Sequence, residues 1–299
     1  MNIPLTLTLS LFAALCGNIT KKYYTNNNSQ GLSSGFVFNA ISCLTAAFIL
    51  LCWGGFGKPS LFTILLGVAF GAVTALQGIT NIAALQAGPM SYTSVIISFS
   101  TLLSALSGVA FFGEKLGWAQ IVGIALMLVS FVLAARSDAE QRKANLKWLL
   151  LCLVAFAATG AIGIMQKVHQ SSEYREELNA FLIIAFIASS VFCGILALGL
   201  KMRETTETVA DKQKKGKIFW LLLTIIFVNG VTVAANNKFN LYLSGVMDSA
   251  VFFPIVNGGG LVLTTLAAVL LFREKLTKKQ WVGVVFGIAS VVFLCNPFA

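Results

Sequence analysis

Apolar residues in this chain run in blocks of membrane-crossing length, separated by short polar, charged or glycine-containing interruptions. A helix that crosses a bilayer needs about 20 predominantly apolar residues, and the blocks predict ten such helices. In the first half they are Ile3–Thr20, Gly35–Trp53, Leu61–Ala84, Ser91–Phe112 and Trp118–Ala135. In the second they are Leu146–Val168, Asn179–Leu200, Ile218–Leu243, Ser249–Phe272 and Gln280–Cys295. Gaps such as Gln86–Met90 and Ser244–Asp248 are tight turns. The longest polar stretches, Arg136–Asn145 and Lys201–Lys217, are too short to hold a soluble domain.

Composition agrees with the pattern. Of 299 residues 57% are hydrophobic and only 11% charged, with a mean hydropathy of +0.85. A soluble domain would carry roughly twice that charge. The net charge of +10 implies no nucleic acid partner, because the basic residues sit between apolar blocks and read as orientation signals. Sixteen of the 21 Lys and Arg fall on one side of the ten-span layout. That side holds Lys21, Lys22, the linker between halves with Lys147 just beyond it, Lys201–Lys217 and Arg273–Lys279. The bias puts it in the cytoplasm and both termini outside it. The six cysteines all lie inside apolar blocks without metal-type spacing, so neither a disulfide framework nor a metal or other cofactor is expected. Positive charge follows the first apolar block instead of preceding it, which predicts a retained span and not a cleaved signal peptide.

One stretch occurs twice. Shifted by 160 positions, Phe112, Glu114, Lys115, Leu116, Gln120, Val122, Gly123, Ser130 and Val132 match Phe272, Glu274, Lys275, Leu276, Gln280, Val282, Gly283, Ser290 and Val292. Each copy is a charged turn before the last apolar block of its half. An odd number of spans per half makes the halves face opposite ways. The first copy carries one basic residue and the second four. Extra positive charge where the cytoplasm should lie is what an inverted duplication predicts. The expected fold class is therefore an all-α membrane protein, with ten transmembrane helices as two inverted five-helix repeats. Its parts are residues 1–135, a cytoplasmic linker 136–145, and 146–299.

With two five-span halves, each closing in Glu-Lys-Leu, Gln and Gly (Glu114, Gln120, Gly123; Glu274, Gln280, Gly283), the chain resembles EamA-type members of the drug/metabolite transporter superfamily. The resemblance implies a ten-helix carrier in a plasma membrane with a central cavity between the halves. It does not imply a substrate, and in that family the Glu-Lys-Leu turn looks architectural. Small multidrug exporters that resemble each half use a buried carboxylate. Here no acidic residue falls in mid-span, and the first span offers Asn18 and Thr20 instead.

Polar groups inside hydrocarbon need a protein or cavity partner, so they are the best pointers to a solute path. In the eighth span Asn229, Thr232, Asn236 and Asn240 share a face about 80° wide, and Thr74, Gln77 and Asn81 form a similar stripe in the third. The candidate substrate-binding residues are Gln77, Asn81, Asn229, Asn236, Asn240 and Asn257. Neutral amides both donate and accept, which suits a small polar solute such as an amino acid, sugar or nucleoside. The same amides also glue helices together, and both readings stay open here. Lys238 points away from the amide stripe near a membrane boundary, and reads as snorkelling; Lys167 and His169 read as interfacial. Pro254 with Gly258, Gly259 and Gly260 predicts a kink or unwound stretch in the ninth span, a candidate gate. Small residues around Ser104–Gly108 and at Gly283 and Gly287 predict close contacts between helices or in a homodimer.

These features favour a secondary carrier of small polar metabolites, working by alternating access. The alternatives are an exporter of drugs or cationic compounds, or a structural or regulatory membrane protein. An enzyme is not expected, since clustered carboxylates, histidines and metal ligands are missing from the sequence. Membrane lipid is the surrounding partner, and the short loops favour a bacterial inner membrane.

Overall fold

The structure is a computed structural model that describes residues 2–27, 32–87, 90–134, 145–203, 215–272 and 276–295. Arg273, Glu274, Lys275 and all of the linker except Asn145 lie outside the described residues. Among those described, regular structure is helical throughout. In order the helices are α1 (Ile3–Asn27), α2 (Leu32–Gly54), α3 (Leu61–Ala87), α4 (Met90–Ser98), α5 (Ser100–Phe112) and α6 (Trp118–Ala134). There follow α7 (Leu146–Gln170), a 3-10 turn Arg175–Glu177, α8 (Leu178–Arg203), α9 (Lys215–Val246), α10 (Ser249–Pro254), a π-helical segment Ile255–Gly259, α11 (Gly260–Phe272) and α12 (Lys278–Leu294).

Eight helical stretches among the described residues are long and apolar enough to cross a membrane, and Trp118–Leu133 is apolar but shorter. The helices that carry the repeated motif, α6 and α12, have 17 residues each. At about 1.5 Å per residue they span roughly 25 Å, a little short of a typical hydrocarbon core. Elsewhere helix overshoots the apolar blocks. Thus α1 runs on through Lys21 and Lys22 to Asn27, because nothing after Thr20 breaks the backbone ladder.

Sequence chemistry explains the helix ends. Gly55 (φ 71°) stops α2 and donates its N–H to Leu51 O at 2.9 Å; Gly113 (φ 67°) stops α5. Only glycine adopts such a left-handed cap without strain. The repeated glutamine has one job in both copies. Gln120 Oε1 accepts the Gly117 N–H at 2.7 Å, and Gln280 Oε1 accepts the Thr277 N–H at 2.9 Å. In the second copy the Thr277 hydroxyl returns the favour to the Gln280 N–H, which completes a capping box.

The helices form two compact units. The first comprises Met1–Leu7, Leu76–Ser172 and Leu241–Ala299; the second comprises Thr8–Ala75 and Glu173–Asn240. Each unit draws helices from both halves of the sequence. In the second, α2 packs along α8. Gly71 lets α3 close on α8, since a Cβ there would lie 2.5 Å from Ala185 O.

In the first unit α6 packs along α12 through a reciprocal pair of bonds. The Ser130 hydroxyl donates to Gly283 O at 2.7 Å, and the Ser290 hydroxyl donates to Gly123 O at 2.6 Å. The four residues are two motif pairs related by the 160-residue shift. Gly123 and Gly287 are needed for the approach: a Cβ at Gly123 would sit 2.7 Å from Leu294 Cγ, and one at Gly287 2.9 Å from Ser130 Oγ. The small-residue face of the last span is thus occupied within the chain.

Candidate functional site

Two interrupted helices meet in the first unit. The fourth predicted span divides at Phe99 into α4 and α5: the Leu102 N–H bonds back to Phe99 O at 2.9 Å, a tightened turn. The ninth does the opposite. Instead of unwinding, it widens at Ile255–Gly259 into a π-helical segment directly after Pro254. Proline has no N–H to give the α-helical ladder and its ring crowds the preceding turn. The wider π turn absorbs the mismatch while keeping the chain helical.

Asn257 lies in this π turn. Its side-chain amide donates to the Thr101 hydroxyl at 3.0 Å, so the two interruptions are tied together. Asn257 is exposed while Thr101 is buried. Eight residues from the start of α10, it lies about 12 Å into the span at helical rise. Pro254, Gly258 and Gly259 are buried. Gly258 lies against α6, where a Cβ would overlap Met127 Sδ. Gly260 is different, with open space around the position of a Cβ.

The amides of α9 are engaged with α1 in the second unit. Asn229, buried, donates to Gly17 O at 3.1 Å and to Thr20 Oγ1 at 2.9 Å. Asn236 donates to Ser10 O at 3.0 Å. Asn240 donates to Asn236 Oδ1 at 3.2 Å and accepts from the Ser10 hydroxyl. Asn237 turns back to Val233 O of its own helix. Gly17 permits the approach of α1, as a Cβ there would lie 3.3 Å from Thr232 Oγ1. Lys238 sits elsewhere on the helix, with its Nζ 4.3 Å from the ring centroid of Trp53, a cation–π contact.

The matching stripe on α3 differs. Gln77 and Asn81 are half-buried, and neither side chain is hydrogen-bonded to a described residue. Among the described residues Thr74 bonds only to Phe70 O, a carbonyl of its own helix.

Lys167 and His169, in the last turn of α7, are both buried in protein. Lys167 pairs with Glu114 at 2.7 Å, and Gln170 Nε2 lies 3.1 Å from His169 Nδ1. Burial of a lysine is tolerated where a carboxylate and a carbonyl receive it. Opposite charges at two span ends were the available signal, but span order alone does not say that those ends meet. Ser10 was also missed, since a lone serine in an apolar block carries no periodic signal. No group of three or more His, Cys, Asp or Glu among the described residues is arranged to hold a metal ion.

A model of the EamA-like transporter family matches residues 2–136 and 146–296. The chain belongs to the EamA-like transporter family. It is a multi-pass membrane protein, and members of this family are transporters. Among curated relatives, the chain is 22% identical over 202 residues to an uncharacterised protein of Haemophilus influenzae, a match covering 65% of this chain and 62% of that protein's length. It is 26% identical over 117 residues to the probable 4-amino-4-deoxy-L-arabinose-phosphoundecaprenol flippase subunit ArnE of Hamiltonella defensa, covering 39% of this chain and 96% of that one. A solved crystal structure with 14% identity shares the fold, with a TM-score of 0.73 over 97% of this chain and 96% of the other.

Proposed function

We propose that this family member carries small polar metabolites, such as amino acids, sugars or nucleosides, across the bacterial inner membrane by alternating access. The observation that carries the reading is the pair Gln77 and Asn81: two half-buried amides on an apolar helix, unbonded to any described residue. Lipid cannot satisfy such groups, whereas a polar solute offers them complementary donors and acceptors. Asn257 is the third contact, exposed and, among the described residues, tied by its side chain to Thr101. The π segment Ile255–Gly259 with its flanking Pro254 and Gly260 is the flexing element, because a widened turn can revert to α-helix by moving one hydrogen bond per residue. Asn229, Asn236 and Asn240 contribute indirectly in this conformation by holding α1 on α9.

Ten helices in two inverted copies, divided at the linker 136–145, are part of the same proposal, with both termini outside the cytoplasm. The reciprocal Ser130–Gly283 and Ser290–Gly123 bonds support it. A self-complementary contact, in which residue i meets j and the copy of j meets the copy of i, is the signature of a two-fold relation. Flux of radiolabelled solutes into proteoliposomes is the test. A panel of amino acids, sugars and nucleosides in which none enters faster than into protein-free vesicles would remove the reading.

A second reading rests on the relative named as a flippase subunit, of which 96% is covered by the match. The carried molecule would then be a lipid-linked sugar. Movement of a fluorescent polyprenyl phosphate between leaflets, with no uptake of soluble solutes, would favour it. Export of cationic drugs fits less well: the buried Glu114 is already paired with Lys167.

A further inference from the structure

The turn closing the first copy of the repeat does more than connect two helices. After the left-handed Gly113, the Glu114 N–H bonds to Gly108 O at 3.1 Å, and the carboxylate folds back over Gly108. A Cβ at Gly108 would overlap Glu114 Oε2, so the position has room only for glycine. Glu114 Oε2 accepts the backbone N–H of Ser249 at 2.7 Å, and Oε1 accepts the Ser249 hydroxyl at 3.1 Å. Lys167 Nζ holds the same carboxylate at 2.7 Å and also donates to Met247 O at 2.9 Å. Both charged side chains are less than a tenth exposed. Four segments of the first unit, from Gly108, Glu114, Lys167 and Met247–Ser249, therefore converge on one carboxylate.

Ser249 opens α10, and the residue in its own cap position, Asp248, makes no side-chain cap bond. The start of a helix has backbone N–H groups without helical partners, and a carboxylate is their best acceptor. Glu114 performs this capping from a different helix pair. Burying two charges is a poor way to gain stability compared with packing apolar groups, and what this pair visibly does is hold Ser249 and Met247 against the turn. That geometry belongs to the short helix leading straight into Pro254 and the π turn.

We propose that Glu114, held by Lys167, is a positioning residue. By capping α10 it fixes which way the Pro254–Gly260 segment is presented to the two sides of the membrane. The significance for transport rests on the carrier reading above; the positioning itself does not. Lys167 holds the carboxylate in place, and Ser249 is the group it acts on.

The test uses a single cysteine at Gly260, where the structure leaves space, in a variant with the six native cysteines replaced. Labelling by a membrane-impermeant maleimide is timed from each face of sealed vesicles. With E114A/K167M, which removes cap and charges together, the ratio of the two rates is expected to change at least fivefold. With E114Q/K167M the glutamine carbonyl still accepts the Ser249 N–H, and the ratio should stay within twofold of the parent. S249P removes the capped N–H and sets a ring carbon in its place, which forces the Glu114 carboxylate off α10 while Lys167 is unaltered. Proline is well suited to the first position of a helix, so α10 itself persists and the variant should reproduce the E114A/K167M shift.

Unchanged ratios in S249P, or in E114A/K167M with only a lower melting temperature, would overturn the proposal. An equal shift in E114Q/K167M would overturn the capping account, making charge the agent instead. The readout needs no solute, so a chain that transports nothing yet shows the shift would refute the carrier reading and leave this one standing.

Discussion

Helices α3 and α9 carry the same kind of stripe and use it differently. In α9, Asn229, Asn236 and Asn240 bond to Gly17, Thr20, Ser10 and each other. In α3, Gln77 and Asn81 meet no described partner, and Thr74 bonds within its helix. The difference does not lie in the amides. It lies in α1, which lays a glycine, a serine and a threonine against α9 within the second unit. An amide in a membrane helix is thus glue or lining according to what its neighbour offers. The residue type and its periodicity are silent on the choice.

The comparison can be broken most forcefully at α3. Replacing both Gln77 and Asn81 by leucine should slow solute flux at least thirtyfold, about 2 kcal/mol in barrier terms, with yield and melting temperature unchanged. Normal flux in that double variant would remove the distinction. Asn229→Leu should do the reverse. Losing its bonds to Gly17 and Thr20 costs about 1–2 kcal/mol, read by unfolding in detergent. Flux should fall only as far as the folded fraction does.

A smaller effect, about 0.6 kcal/mol, is expected for Ser10→Ala, which takes away the hydroxyl shared by Asn236 and Asn240. A change of several kcal/mol there would mean that α1 and α9 are held by this hydroxyl alone. Least of all, Thr74→Val should alter stability by less than about 0.5 kcal/mol, because its hydroxyl serves only the Phe70 carbonyl. A marked loss of flux in this variant would extend the lining to a residue that the structure leaves out of it.

Much of the fold was legible because hydrocarbon imposes so strict a rule on the chain. Helices must be long and apolar, and their ends must be capped, so blocks and interruptions name most of them. The internal repeat carried more than layout: Gln120 and Gln280, and the Ser130–Gly283 and Ser290–Gly123 pairs, occupy equivalent places for equivalent physical reasons. Pro254 marked an irregular helix, and the irregularity takes the form of a π turn instead of an unwound stretch. The turn at Phe99 had no such signal, for no proline or glycine stands there. The candidate site was half legible. Its residue types could be found by period, but their partners could not.

The amino-acid sequence by itself determined that this is a multi-span helical membrane protein with a repeated turn-and-helix motif, since local backbone satisfaction and bilayer thickness are properties of each segment alone. Tertiary structure decided which amides are engaged, which helix ends meet, and that Lys167 is buried against Glu114. Those outcomes depend on residues more than 50 positions apart being brought within hydrogen-bonding distance. No local pattern encodes that approach; it is set by which small residues let which helices close on one another.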